Sequence, residues 1–184
     1  MPETWHWRQQ YKGKSYTRSV GEGSIVRAKN GWLVAALRTH LEPQFFGITE
    51  NDNFCGIGTS VSKDDGKAWS PVQVLYHAGR MHSHLLRMPN GDIVMTYIVR
   101  QDREDGGLAA YRRGSEALVS HDNGLTWDMQ RKYILDGWDY SDGDPQTPAV
   151  CGHLGSTLLD DGSILTAYGN YVAKGVCLIR WRPA

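Results

Sequence analysis

Two arginines, Arg38 and Arg100, close the apolar runs Leu33 to Leu37 and Ile93 to Val99, at what read as corresponding positions of a repeat. Two guanidinium groups brought to one place clamp a carboxylate through paired N–H donors. The alternative is that each is a strand-end arginine paired with an acid of the following loop, Glu42 or Asp105. His82 and His84 stand two residues apart at the entry to an apolar run, so a regular strand sends both to one face. Such a pair can ligate a metal, serve as a base with its neighbour, or hydrogen-bond a polar ligand, and it can equally be two satisfied core histidines. No third ligand follows at an obvious spacing, although His40 and His153 fall in loop-like segments, so the sequence assigns no metal and no cofactor. Carboxylates for acid–base work are concentrated in the run from Asp139 to Asp144, which holds Tyr140, Asp142 and Asp144; Glu22 and Glu104 are the others in comparable positions. The same acidic, glycine-containing run also suits a solvated crossover loop.

The elements that carry these residues are short. Three segments share one plan: Ser24 to Ala35 around Asn30-Gly31, His84 to Met95 around Asn90-Gly91, and Ser156 to Leu165 around Asp161-Gly162. Each is an apolar run, an Asn-Gly or Asp-Gly pair, and a second apolar run, which is a strong hairpin signal. A third run follows each hairpin (Phe54 to Val61, Glu116 to Val119, Val176 to Ile179), and in two of the units a fourth (Val72 to Leu75, Lys132 to Leu135). No segment sustains a 3.6-residue apolar period, so the chain is expected to be all-β.

Between the third and fourth runs an octapeptide, Ser-x-Asp-x-Gly-x-x-Trp, occurs twice: Ser62, Asp64, Gly66, Trp69 and Ser120, Asp122, Gly124, Trp127. A strand delivers the serine, the aspartate ties a tight turn, the glycine supplies a positive φ, and the tryptophan packs down. Two copies in register mark a repeat protein.

Here the chain resembles the Asp-box, or bacterial neuraminidase repeat, proteins, of which the sialidases are the best-known members. The resemblance covers nearly everything from Gly21 onward and implies β-propeller blades of four antiparallel strands, with the octapeptide closing the last hairpin of each. Approximate blades are 21–76, 82–135 and 152–184, about three blades of a sialidase-like six-bladed propeller, with 1–20 an outer strand of a preceding blade or a cap. Propellers usually close with about four to eight blades. The arc is therefore expected to be part of a longer protein with an N-terminal half, to form a homodimer that completes a six-bladed ring, or to curl into an open sheet stack of its own.

In such propellers the ligand face carries the loops between second and third strands and the crossovers between blades, which leaves the octapeptides structural. The resemblance then implies a carbohydrate substrate or ligand, met by Arg38, His40, Arg80, His82, His84, Arg100, Gln146 and Tyr171, with Glu22, Asp142, Asp144 and Tyr140 as the catalytic candidates. Glycosidases use an acid/base carboxyl with a second carboxylate or, in sialidases, a tyrosine activated by a glutamate. Arg87-Met88-Pro89 is similar to the arginine motif with which sialidases begin, but it stands immediately before the Asn90-Gly91 turn, and no role passes to Arg87. The expected function is a sialidase-like glycoside hydrolase acting on acidic or decorated glycans, or a fragment of one. A non-catalytic glycan- or protein-binding propeller, with Trp138, Tyr140 and Tyr171 as stacking surfaces, is the alternative.

Bulk properties agree with a folded domain and exclude some partners. A formal net charge of +0 over 184 residues, with scattered basic residues, gives no attraction to nucleic acid or to an anionic membrane. No stretch reaches the roughly 20 apolar residues of a membrane span, and Met1 to His6 lacks the pattern of a signal peptide, which leaves the compartment open. Cys55, Cys151 and Cys177 are odd in number and lie in strand-like runs, so buried free thiols are expected over a disulfide.

Overall fold

The computed structural model describes residues 7–11, 13–40, 55–100, 112–139, 153–170 and 175–184, with the strands as its regular elements. The first sheet has the order β1 (Trp7–Tyr11), β2 (Lys14–Arg27), β3 (Leu33–His40), β4 (Cys55–Ser62), β5 (Gln73–Tyr76). The second is β6 (Arg80–Arg87), β7 (Ile93–Val99), β8 (Arg112–Ser120), β9 (Tyr133–Asp139), and the third is β10 (Leu154–Leu158), β11 (Ile164–Asn170), β12 (Gly175–Trp181). All neighbouring strands are antiparallel. β1 pairs with the first part of β2, so this segment extends the sheet of the first blade.

Each blade opens on the same hairpin. Gly31 N donates to Ala28 O, Gly91 N to Met88 O and Gly162 N to Leu159 O, at 2.9–3.0 Å. The side-chain oxygens of Asn30, Asn90 and Asp161 accept the N–H two residues on, from Trp32, Asp92 and Ser163, at 3.0–3.1 Å. The glycines sit at φ +90°, +103° and +79°, a region in which L side chains are strained. Chain reversal is thus encoded locally, by residues that satisfy their own turn.

The serine and aspartate contacts of the octapeptide turn are also duplicated. Ser62 Oγ donates to Asp64 Oδ1 (2.9 Å) and accepts from Gly66 N (2.8 Å), while Ala68 N donates to Asp64 Oδ1 (2.8 Å). Ser120, Asp122, Gly124 and Thr126 repeat these contacts at 2.9, 2.8 and 2.8 Å. The carboxylate reaches the N–H four residues on, and the serine holds the glycine N–H in the middle of the turn. Trp127 closes onto the core between blades, and Trp69 packs beside Ala35, Leu37 and Val72.

The core lies between blades. Alternate residues of β7 serve opposite neighbours: Ile93, Met95, Tyr97 and Val99 pack with Val34, Ala36, Ile57 and Tyr76 of the first blade, and Val94 packs with Ile164 of the third. Every residue of β7 is consequently buried, which explains its unbroken apolar run. On β12 the alternation leaves Val176 and Leu178 75% and 66% exposed. Cys55 is a buried free thiol, Cys177 is a half-buried one, and Cys151 lies outside the described residues.

Replacing Ser120, which is 1% exposed, by alanine strands the Gly124 N–H and one bond of Asp122. The expected cost is about 1–3 kcal/mol of unfolding free energy, read from urea titrations, and an unchanged midpoint would contradict the structural role of the turn.

Candidate functional site

The inner strands β2, β6 and β10 lie side by side, with β6 in the middle. Ser24 Oγ accepts from Leu85 N at 3.0 Å, stitching the first two together. Two of these strands carry a bulge near the same level. In β2, Val20 pairs with Thr39 and Gly23 with Leu37, so Gly21 and Glu22 together oppose Arg38. In β6, Met81 pairs with Ile98 and His84 with Thr96, so His82 and Ser83 together oppose Tyr97. A bulge bends its strand and re-aims its side chains. His82 adopts φ +53°, a strained value for a bulky residue.

The bulges bring equivalent residues of successive blades together. Glu22, His82 and His153 each stand nine residues before the hairpin glycine of their blade, Gly31, Gly91 and Gly162. The Glu22 carboxylate lies 2.9 Å from His82 Nδ1, and the His82 and His153 rings are 4.6 Å apart at their centroids. One potential ligand atom from each of the three residues lies within 4.8 Å of the others, the geometry of a cluster that can hold a cation. Glu22, Ser24, His82, Ser83, His84 and His153 line a cavity of about 340 Å³. Ser83 Oγ and His84 Nδ1 are buried at its wall without a hydrogen-bond partner among the described residues.

Charge in the cavity is set by its neighbours. Partial burial works to raise the Glu22 pKa, but the hydrogen bond from Arg38 and the charges of His82, Arg38 and His153 outweigh it and hold the carboxyl below its ordinary value. Burial is the main force on His82; with His153, Arg100 and Arg38 it overcomes the opposing pull of Glu22 and lowers the pKa to about 4. Burial alone lowers His84. At neutral pH the cavity therefore presents one carboxylate beside two uncharged imidazoles, His82 and His84.

The expected residues are distributed as follows. Glu22, His82 and His84 share the cavity wall. Both histidines reach it across a bulge, not by the regular two-residue alternation of the sequence reading. Arg38 is paired with Glu22 of the adjacent inner strand (Nη1 to Oε2, 3.1 Å) and donates to Cys55 Sγ (3.1 Å); Glu42 and Asp105, the loop acids named as alternative partners for the two arginines, lie outside the described residues. His40 lies beside the same thiol, its Nδ1 3.6 Å from Cys55 Sγ. Arg100 is 5% exposed and donates to Met81 Sδ at 3.1 Å. Measured from the pairs Arg27–Leu33 and Arg87–Ile93, Arg100 is equivalent to His40, which corrects its expected equivalence to Arg38. Arg80 is 2% exposed and packs between the first and second blades, 4.8 Å from the Tyr76 ring and 3.7 Å from Glu116, and it does not line the cavity. Tyr140, Asp142, Asp144, Gln146 and Tyr171 lie outside the described residues. His153 was read only as a loop residue; its constant distance from the hairpin glycine was the signal that places it with Glu22 and His82.

Sheets packed face to face around a shared inner edge, with a polar cavity where the inner strands meet, define an arc of β-propeller blades. No protein-family model matches the chain, and no curated protein matches it in sequence. Among solved structures it is similar to a protein of unknown function from Dyadobacter fermentans (20% identity, TM-score 0.57, covering 88% of this chain and 50% of that one). It is also similar to a Hadza microbial sialidase (13%, 0.59, 90% and 32%) and to an α-L-arabinofuranosidase from Fusarium graminearum bound to an iminosugar inhibitor (14%, 0.53, 81% and 40%). The chain spans about a third to a half of the length of these proteins, and at such identities the likeness is one of fold.

The lowered His82 and His84 values give a signed expectation. Each histidine binds a proton more readily unfolded than folded, so stability is highest above about pH 6.5 and falls as pH drops through the window toward about 4. With EDTA present, His82→Asn, which tolerates positive φ, should remove the His82 share of this slope and leave that of His84 and of the carboxylates with lowered pKa. Urea midpoints that fall as steeply in the variant as in the parent would contradict the burial of a neutral His82.

Proposed function

We propose that this chain supplies part of the substrate channel of a sialidase-like, Asp-box propeller that hydrolyses glycosidic bonds in acidic or decorated glycans. The observation that carries the reading is an ionised carboxylate, Glu22, at a polar cavity where the inner strands of successive blades meet. Two of the solved structures similar in fold are named as glycosidases, and the duplicated serine–aspartate turn has the composition of the Asp box.

The lowered pKa of Glu22 favours one set of roles. A carboxylate that stays ionised serves as a base or a nucleophile, or activates a tyrosine, but it does not serve as the acid that protonates a leaving group. We assign the acid to Asp142 or Asp144 and keep Tyr140 as the candidate nucleophile. Arg38 is already engaged by Glu22, so a substrate carboxylate that uses it must share or displace that partner. A second copy of the chain, docked against the exposed Val176 and Leu178 of β12, is the partner we propose for closing the ring.

A non-catalytic glycan-binding propeller is the second reading, favoured by Glu22 being the one carboxylate on the cavity wall among the described residues. The test uses the species whose light-scattering mass is twice 20.6 kDa. Fluorogenic α-sialosides and uronosides should be turned over, and Glu22→Gln should lower kcat at least about 100-fold while leaving binding of the intact glycoside measurable. Binding without turnover of any of these substrates would contradict hydrolysis and establish the second reading.

A further inference from the structure

We propose that Glu22, His82 and His153 form a binding site for one divalent transition-metal ion, with Zn²⁺ the best-matched cation. The site stands on its own geometry and does not depend on the hydrolase reading. Three potential ligand atoms, two imidazole nitrogens and a carboxylate oxygen, lie within 4.8 Å of one another at the cavity where the three inner strands converge. Zinc takes these ligands at about 2.0–2.2 Å, and three protein ligands leave a fourth position open to water or substrate. Imidazole donors select Zn²⁺ and its first-row neighbours over Ca²⁺ and Mg²⁺, which prefer all-oxygen shells.

The contact between Glu22 and His82 gives the strongest indication. Nδ1 of His82 is buried and lies 2.9 Å from Glu22 Oε2, and it makes no well-aligned hydrogen bond among the described residues. A ring nitrogen and a carboxylate oxygen this close, without an aligned hydrogen bond between them, are both available to a cation. A cation beside them turns that apposition into coordination.

The surroundings fit ligands held from behind. Arg38 holds Oε2 of Glu22 at 3.1 Å, which orients the carboxylate. Such outer partners fix ligand orientation. The bulge fixes His82, whereas Glu22 and His153 are exposed enough to shift from their present spacing to metal–ligand distances. Arg38 and Arg100, whose charges reach His82, oppose a dication and limit its affinity.

The full chain, freed of metal by chelator, is titrated with Co²⁺ followed by Zn²⁺, observing the visible absorption of tetrahedral Co²⁺ and the heat of Zn²⁺ binding. One Co²⁺ per chain, displaced by Zn²⁺, is expected, with binding at least about tenfold weaker in both His153→Ala and Glu22→Gln. His121→Ala, at the exposed His121 beside Asp92, should bind as the parent does. His153 is exposed, so its variant should keep the parent's melting temperature, and a circular-dichroism melt checks this. Equal Zn²⁺ binding by the parent and a folded His153→Ala, or no Zn²⁺ binding by the parent, would overturn the proposal.

Discussion

A β-strand gives every second side chain to each of its faces, and in this stack of blades both faces of the middle sheet are needed for apolar packing. The constraint is plain on β7, where residues facing the first blade alternate with residues facing the third and none is left for solvent. Polar chemistry at the meeting point of the inner strands therefore requires a break in the alternation. The bulges in β2 and β6 are that break. Glu22 and His82 are released from the pairing pattern just before Gly23 and His84 resume it. The left-handed φ of His82 costs about 1–3 kcal/mol, and the interblade core on either side of the bulge offsets it.

The same interface encloses a second polar cluster with a different fate. Tyr76 OH lies 2.9 Å from Tyr97 OH, which donates to Glu116 Oε2 at 3.1 Å; Arg80 and Lys132 each approach Glu116 at 3.7 Å. Burial, with Tyr76 and Glu116 beside it, pushes Tyr97 well above the ordinary phenol value, so it remains a donor and satisfies the buried carboxylate. Charges are tolerated in such an interior when paired and hydrogen-bonded. A tyrosine, a glutamate and an arginine side by side suggest catalysis by composition, yet Tyr97, Glu116 and Arg80 are 0%, 3% and 2% exposed. Their position makes them a core network.

What was legible in the sequence was whatever is encoded locally. Asn30-Gly31, Asn90-Gly91 and Asp161-Gly162 satisfy their own turns, as do the two serine–aspartate octapeptides, so hairpins, blade order and all-β class follow from short segments. Features that depend on pairing between strands were not legible. The bulges are differences of register, and they put Glu22 against His82. Arg80 reads as a polar residue at a strand start, and only the depth of the interface shows that it is enclosed. The convergence of Glu22, His82 and His153 was written in their common distance from the hairpin glycine, but that spacing has meaning only once the three inner strands are known to share an edge.

The central claim is that three equivalent inner-strand positions meet at one point, and contact between the His82 and His153 rings tests it most directly. A nuclear Overhauser experiment on the chain, with the two rings assigned through His82→Asn and His153→Ala, reads that distance in solution. With centroids 4.6 Å apart, a ring-to-ring cross-peak is expected, and it should vanish in each variant. Assigned, well-resolved rings that show contacts only within their own blades would contradict the convergence and the site built upon it.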